Sequence, residues 1–201
     1  MIFDNDIFPI VEEEFLTKDA INFLMDWIES NDSTFDEHQS NISYWNKKCI
    51  YYKEIISEDV QYILKQACLA MKKYIEINTP NESKKLYVET PQLVRWRHGD
   101  VMTPHADNVE QDGVTPNTSP WREFGGVIYL NSDFDGGKIY YPNLNIEVTP
   151  RTGMMVIHPA NLKYTHGVSE VTKGKRYTIS TFFTFDQLYG GFLSESYNDS
   201  I

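Results

Sequence analysis

The chain has 201 residues, 41% of them hydrophobic and 23% charged, with a formal net charge of −11. This is the composition of an ordinary globular protein with one sizeable core, and its acidity disfavours a phosphate backbone as partner. No apolar run approaches a membrane-spanning length, and Cys49 and Cys68 form neither a CxxC pair nor a zinc-type cluster.

The first stretch, MIFDNDIFPIVEEEF, is acidic and lacks the basic start of a secretory signal, so a cytoplasmic, reducing location is expected. A helix is expected over residues 17–31. There Ala20, Phe23, Leu24, Trp27 and Ile28 recur at helical spacing, behind Thr17 as N-cap and Asp19 in the first turn. A second helix is expected from about Ser57 to Ile77. Its apolar stripe is Val60, Ile63, Leu64, Ala67, Met71, Tyr74 and Ile75, with Cys68 as a buried thiol.

From residue 85 the pattern changes. KLYVET, QLVRWR, GGVIYLN, GKIYYP, IEVTP, GMMVIHP and KRYTISTFFTF are short β-branched and aromatic runs separated by Gly, Pro, Asn and Asp. Such spacing belongs to an all-β sandwich or barrel. PNLN and PRTG mark tight turns, and TKGK has the look of a hairpin tip. Residues 108–120, NVEQDGVTPNTSP, form a long polar loop of the kind that often covers a site. The tail from about Asp186 is expected to be loosely held. The chain thus divides into a helical support, 1–84, and a β core, 85–186, within one domain.

Two HxD pairs compete as metal ligands. On a strand, side chains two apart share a face, and Ala106 between His105 and Asp107 is compatible with a strand. Gly99 between His98 and Asp100 reads as a turn, which would splay that pair. The pair 105/107 is therefore preferred. A third ligand would come from the later histidines: His158, which precedes Pro159 and is expected to end its strand, and His166, which lies beside Gly167. Two histidines and a carboxylate on one face, with positions left open, is the ligand set of non-haem Fe(II) oxygenases. Ten positions on, from 166 to 176, Arg176 lies in the alternating run KRYTIS. Arg176, Thr178 and Ser180 share a face, and an arginine inside a barrel requires an anion.

Together these residues resemble the 2-oxoglutarate- and Fe(II)-dependent dioxygenase superfamily, in particular its prolyl 4-hydroxylase-like branch, over roughly Pro91 to Phe185. The resemblance implies a double-stranded β-helix, or jelly roll, with the N-terminal helices as support (mainly β, α+β). It implies Fe(II) held by His105, Asp107 and His166. It also implies 2-oxoglutarate anchored by Arg176 with Tyr129, the tyrosine of VIYLN, and with Thr178 assisting. O2 is then the oxidant and ascorbate an accessory reductant. The family often has tyrosine where this chain has Trp96 and Met102, so the substrate end of the pocket departs from the pattern. Relatives that halogenate lack the carboxylate ligand, and Asp107 accordingly points to hydroxylation. The expected substrate is a prolyl residue of a peptide or protein. A free amino acid or other small molecule is the alternative, and a catalytically silent jelly-roll binding module is the reading from a different class. Nucleic acid is disfavoured as substrate by charge, and nothing in the sequence indicates membrane binding or fixes an oligomeric state.

Overall fold

Hydroxyl caps start both long helices of the computed structural model, which describes residues 7–39, 45–79 and 84–192. Thr17 accepts a hydrogen bond from the Ala20 amide, and helix α1 runs Lys18–Ser30. Ser57 accepts from the Val60 amide, and α3 runs Glu58–Asn78. Each side chain satisfies one of the amides that a helix start leaves unpaired. Between them lies a single helical turn, α2, Thr34–Glu37, carrying the buried Phe35. The buried stripe of α3 includes Val60, Leu64, Ala67, Met71 and Ile75, as expected, and the thiol of Cys68 is buried and pushed up to about 12 by desolvation. That of α1 is Ile21, Leu24 and Ile28, while Phe23 is 41% exposed. The expected stripe is therefore turned by about one residue. Residues 20–28 are mostly apolar, so period alone does not choose between adjacent faces.

The strands form two antiparallel sheets and one small pair. The seven-stranded major sheet contains β1 (Ile10–Glu12), β2 (Cys49–Tyr51), β3 (Tyr87–Val88), β4 (Gln92–Arg97), β6 (Arg122–Tyr129), β10 (Met155–Pro159) and β13 (Lys175–Thr184), in the order β1-β10-β6-β13-β4-β2 with β3 also on β13. The minor sheet is β5 (Met102–His105), β11 (His166–Val168), β8 (Ile139–Tyr141) and β9 (Ile146–Val148), in that order. This is the jelly roll that the motifs imply. Residues before 85 supply more than helices: Ile10 pairs with Ile157, and Ile50 with Leu93. Three-residue strands are too short for an alternating pattern to reveal them. The TKGK turn is also different from a hairpin tip. Gly174 turns the chain at φ 77°, but the strand before it, β12 (Val171–Lys173), pairs with β7 (Asp135–Gly136) instead of β13.

Alternation in β13 divides the molecule. Ile179 and Phe183 join Leu24, Leu64, Met71, Leu93 and Ile128 in the large core under the helices. Arg176, Thr178 and Ser180 face the space between the sheets. The helices thus cover the outer face of the major sheet and leave its inner face to the cavity. Gly126 permits close approach of α3, since a Cβ there would lie 2.2 Å from the Met71 Cε. The start of the expected loose tail is packed: Tyr189 stacks on Trp121 at 3.7 Å between ring centroids, and Phe192 meets Tyr52 at 4.6 Å. Residues 193–201 lie outside the described residues. Among the described residues no helix is long and apolar enough to cross a membrane.

Candidate active site

His105 ends β5 and His166 begins β11, and the two are direct partners across the minor sheet, with ring centroids 4.6 Å apart. Asp107 lies beyond the end of β5, in a bend. The shared-face argument for an HxD strand therefore applies only to its first member. Asp107 reaches the same place because its amide donates to the Ala160 carbonyl at 2.9 Å, which fixes the bend. Its Oδ1 lies 3.6 Å from His105 Nε2 and 3.9 Å from His166 Nε2. The rival pair sits in a turn, as its glycine indicates: Gly99 has φ 86°, His98 Nδ1 contacts the Thr172 carbonyl, and Asp100 accepts from the Arg97 amide and pairs with Lys48.

Hydrogen bonds set the tautomers of the two histidines. Nδ1 of His105 donates to the Thr103 carbonyl at 3.0 Å and Nδ1 of His166 to the Tyr164 carbonyl at 3.1 Å. A carbonyl can only accept, so each neutral ring presents a bare Nε2 toward Asp107. Burial, reinforced by neighbouring His158, lowers His166 to about 3, so its ring is neutral at ordinary pH. Burial pushes His105 down, but the adjacent Asp107 carboxylate and the Thr103 carbonyl on Nδ1 more than reverse this, so it lies above its ordinary value. The Asp107 carboxyl is held well below its usual range: burial opposes ionisation, and the three surrounding histidines more than reverse it. Three lone-pair atoms thus converge within 4.8 Å of one another. Ligand atoms about 2.1 Å from one ion lie no more than about 4.2 Å apart, so both carboxylate–histidine separations fit a shared cation.

Arg176 lies on the same cavity, which is also lined by His105, Asp107, His166, Thr178 and Trp96. It is 2% exposed, and its guanidinium is 5.3 Å from the Trp96 ring and 4.9 Å from the Tyr129 ring. Arg176 Nε and the Tyr129 hydroxyl are both buried without a hydrogen-bond partner among the described residues. Arg95 supplies the contrast. It is equally buried, but its guanidinium reaches Asp32 at 2.9 Å and Asp36 at 2.8 Å. Nε is unpaired in both arginines among the described residues, so the difference lies in the ion pairs: Arg95 has carboxylate partners within the protein, whereas Arg176, beside two aromatic rings, has none among the described residues and matches a carboxylate that arrives from outside.

Sequence reasoning missed one residue here. His158 lies within β10, 2% exposed, with its Nε2 3.2 Å from Asp107 Oδ2 and its Nδ1 2.8 Å from the Tyr141 hydroxyl. The available signal was the inward register of Val156 and His158, two residues apart on one strand face. Loop 108–120 folds on itself: Asp112 accepts from the amides of Val114 and Thr115, Val109 bridges to Pro116, and Gly113 packs on Leu162.

Comparison with known proteins agrees with this geometry. Residues 91–184 match the model of the 2OG-Fe(II) oxygenase superfamily, whose members use Fe(II), 2-oxoglutarate and O2. Human prolyl 3-hydroxylase 2 is 31% identical over 105 residues, covering 46% of this chain and 15% of that protein. Human prolyl 3-hydroxylase 1 is 31% identical over 136 residues, covering 58% and 18%. The chain thus spans less than a fifth of the length of these relatives. The viral collagen prolyl hydroxylase of Paramecium Bursaria Chlorella virus-1, in its 2OG complex, shares the fold with a TM-score of 0.66 at 13% identity over 88% of this chain and 94% of that one. So does a Trichoplax adhaerens prolyl hydroxylase in complex with a hypoxia inducible factor peptide fragment, with a TM-score of 0.67 at 15% identity over 92% and 86%. The matched segment contains every strand that carries the His–Asp–His set and Arg176, and residues 91–184 of this chain are similar to the 2OG-Fe(II) oxygenase superfamily.

Proposed function

We propose that the chain is a hydroxylase that acts on an unactivated C–H bond, with a prolyl residue of a peptide or protein as substrate. The observation that carries the reading is the pairing of two incomplete sites in one cavity: a cation-shaped gap among His105, Asp107 and His166, and an anion-shaped one at Arg176 and Tyr129. One Fe(II)-chelating dicarboxylate satisfies both. The bound iron and cosubstrate supply the oxidation, in which one oxygen of O2 enters the substrate as hydroxyl and the other accompanies conversion of 2-oxoglutarate to succinate and CO2.

The protein's own part is positioning and exclusion of water. His105, Asp107 and His166 hold the ion on one side only, which leaves its other positions to small ligands. Arg176 takes the far carboxylate through its fork, with Tyr129 and Thr178 as hydroxyl donors. Trp96 and Tyr129 shield that ion pair from water on both faces and so strengthen it. Residues 85–186 act as the catalytic core and 1–84 as its support. The 108–120 loop, rooted beside His105 and Asp107, closes over the substrate. The prolyl choice rests on the prolyl hydroxylases among the relatives and structural neighbours; a free amino acid or another small molecule is the alternative on the same chemistry.

The test is incubation of proline-containing peptides with protein, Fe(II), 2-oxoglutarate and ascorbate, followed by mass spectrometry. A gain of one oxygen coupled to succinate is the expected result. Succinate formation without oxidation of any peptide moves the substrate to the small-molecule class, and no succinate at all leaves the silent binding module.

A further inference from the structure

We propose that His158 is a positioning residue that binds one oxygen of Asp107 and thereby makes the carboxylate a one-oxygen ligand; the inference rests on the metal site proposed above. The two oxygens of Asp107 have different surroundings. Oδ1 faces the bare Nε2 atoms of His105 and His166 at 3.6 and 3.9 Å. Oδ2 faces His158 Nε2 at 3.2 Å. An ionised carboxylate only accepts, so the proton between them belongs to His158. That proton occupies the lone pair with which His158 would otherwise bind a metal. A cavity with three clustered histidines is thus reduced to two histidine ligands, and the third acts on the carboxylate.

Two neighbours maintain the arrangement. Tyr141, buried with its hydroxyl 2.8 Å from His158 Nδ1, donates to that nitrogen and keeps the proton on Nε2. Gly125, the cross-strand partner of His158, provides the space. A Cβ there would lie 2.7 Å from His158 Nε2 and 2.8 Å from Asp107 Oδ2, so any side chain would wedge the pair apart. With Oδ2 occupied, Asp107 cannot close both oxygens on the ion, and a coordination position is preserved. Partners that orient a ligand in this way are typically worth about 10- to 100-fold in metal affinity.

The experiment is anaerobic titration of the full chain with Co(II), reading affinity by calorimetry and coordination by the ligand-field absorption of the metal. His158→Phe keeps a ring but loses the donor. It should bind Co(II) about 10- to 100-fold more weakly, with an altered spectrum as Asp107 closes its second oxygen. His158→Gln, whose amide N–H can reach Oδ2, should restore most of the affinity and the parent spectrum. A purely structural role would not be rescued in this way. Tyr141→Phe removes a single oxygen and should shift both readouts in the direction of His158→Phe; it decides the matter if His158→Phe fails to fold. Parent-like affinity and spectrum in the folded His158→Phe protein, or in Tyr141→Phe where the former is unfolded, would overturn the inference while the metal site stands. Equal loss of Co(II) in His158→Gln and in His166→Ala would make His158 a direct ligand and also overturn it. If the parent protein takes up no Co(II), the metal site itself falls, and this inference with it.

Discussion

Replacing Arg176 by Met separates what the residue does for the fold from what it does for a ligand. The side chain is 2% exposed, its partners are the ring faces of Trp96 and Tyr129, and its Nε is unpaired. In the ligand-free protein Met forfeits cation–π contacts worth about 0.5–2 kcal/mol but also removes a buried charge that has no carboxylate partner. At about 2–4 °C per kcal/mol for a chain of this size, the melting temperature should move by only a few degrees. Binding of 2-oxoglutarate should behave differently. Truncating one side of a shielded, bidentate ion pair typically costs about 2–5 kcal/mol, roughly 30- to several-thousand-fold in affinity. The thermal stabilisation given by 2-oxoglutarate, about 2.7 kcal/mol at a hundred times the parent Kd, should therefore fall at that concentration to about 0.9 kcal/mol for a roughly 30-fold loss and to nearly zero for a roughly thousand-fold loss. Calorimetry on the anaerobic Mn(II)-loaded protein measures the affinity directly. Lys at 176 should recover part of it, since the charge is kept and the fork lost. Unchanged 2-oxoglutarate affinity in Arg176→Met would refute the assignment.

His105→Ala or Asp107→Ala should abolish tight Fe(II) or Mn(II) binding, whereas His98→Ala, which loses only a contact to the Thr172 carbonyl, should leave it nearly intact; equilibrium dialysis distinguishes the two. Shortening the loop between Asn108 and Pro120 should cut substrate hydroxylation sharply while substrate-independent conversion of 2-oxoglutarate to succinate persists, and full hydroxylation by the shortened protein would reduce the loop to an insertion. Asp32 gives a pH prediction. Burial pushes its pKa up, but hydrogen bonds from Lys175, Arg95 and Tyr177 overcome this and lower it from 3.8 to about 2. Its stabilising contribution is present in full above the unfolded value and is lost as pH falls through the folded one. The stability difference between parent and Asp32→Asn should thus shrink between about pH 4 and pH 2 in urea titrations; a constant difference would contradict the sign.

The ligand set was legible because each part has a short-range signature. Ala106 against Gly99 separates one HxD pair from the other, and alternation in KRYTIS aims Arg176 inward. Asp107 joins the two histidines for a different reason from strand alternation: its bend is held by Ala160, more than fifty residues away in sequence, and no local pattern contains that hydrogen bond. His158 is masked in the sequence by Pro159, because proline reads as a strand end. Yet β1 covers β10 only over Met155–Ile157, so Pro159 lies where that side of the strand has no partner and its missing N–H costs no ladder bond. The edge strands β1 and β2 were invisible for a related reason. They are chosen by the sheet they complete, and their own sequence carries little preference.

The position of β13 has a consequence for how the chain assembles. It follows every other strand in sequence, yet it lies in the interior of the major sheet, bonded to β6 on one side and to β4 and β3 on the other. Until it is present, β4 and β6 have no ladder between them. The inner wall bearing Arg176 and the outer wall that packs on α3 are then missing together. A ribosome-bound chain that has exported the first 170 residues can form its helices and local strand pairs but cannot close either face. Pairings of such long sequence separation are slow to form and leave unpaired edges exposed meanwhile. Binding competence for iron and for 2-oxoglutarate should accordingly appear in one late step, because the strand that carries Arg176 also seals the barrel around His105, Asp107 and His166.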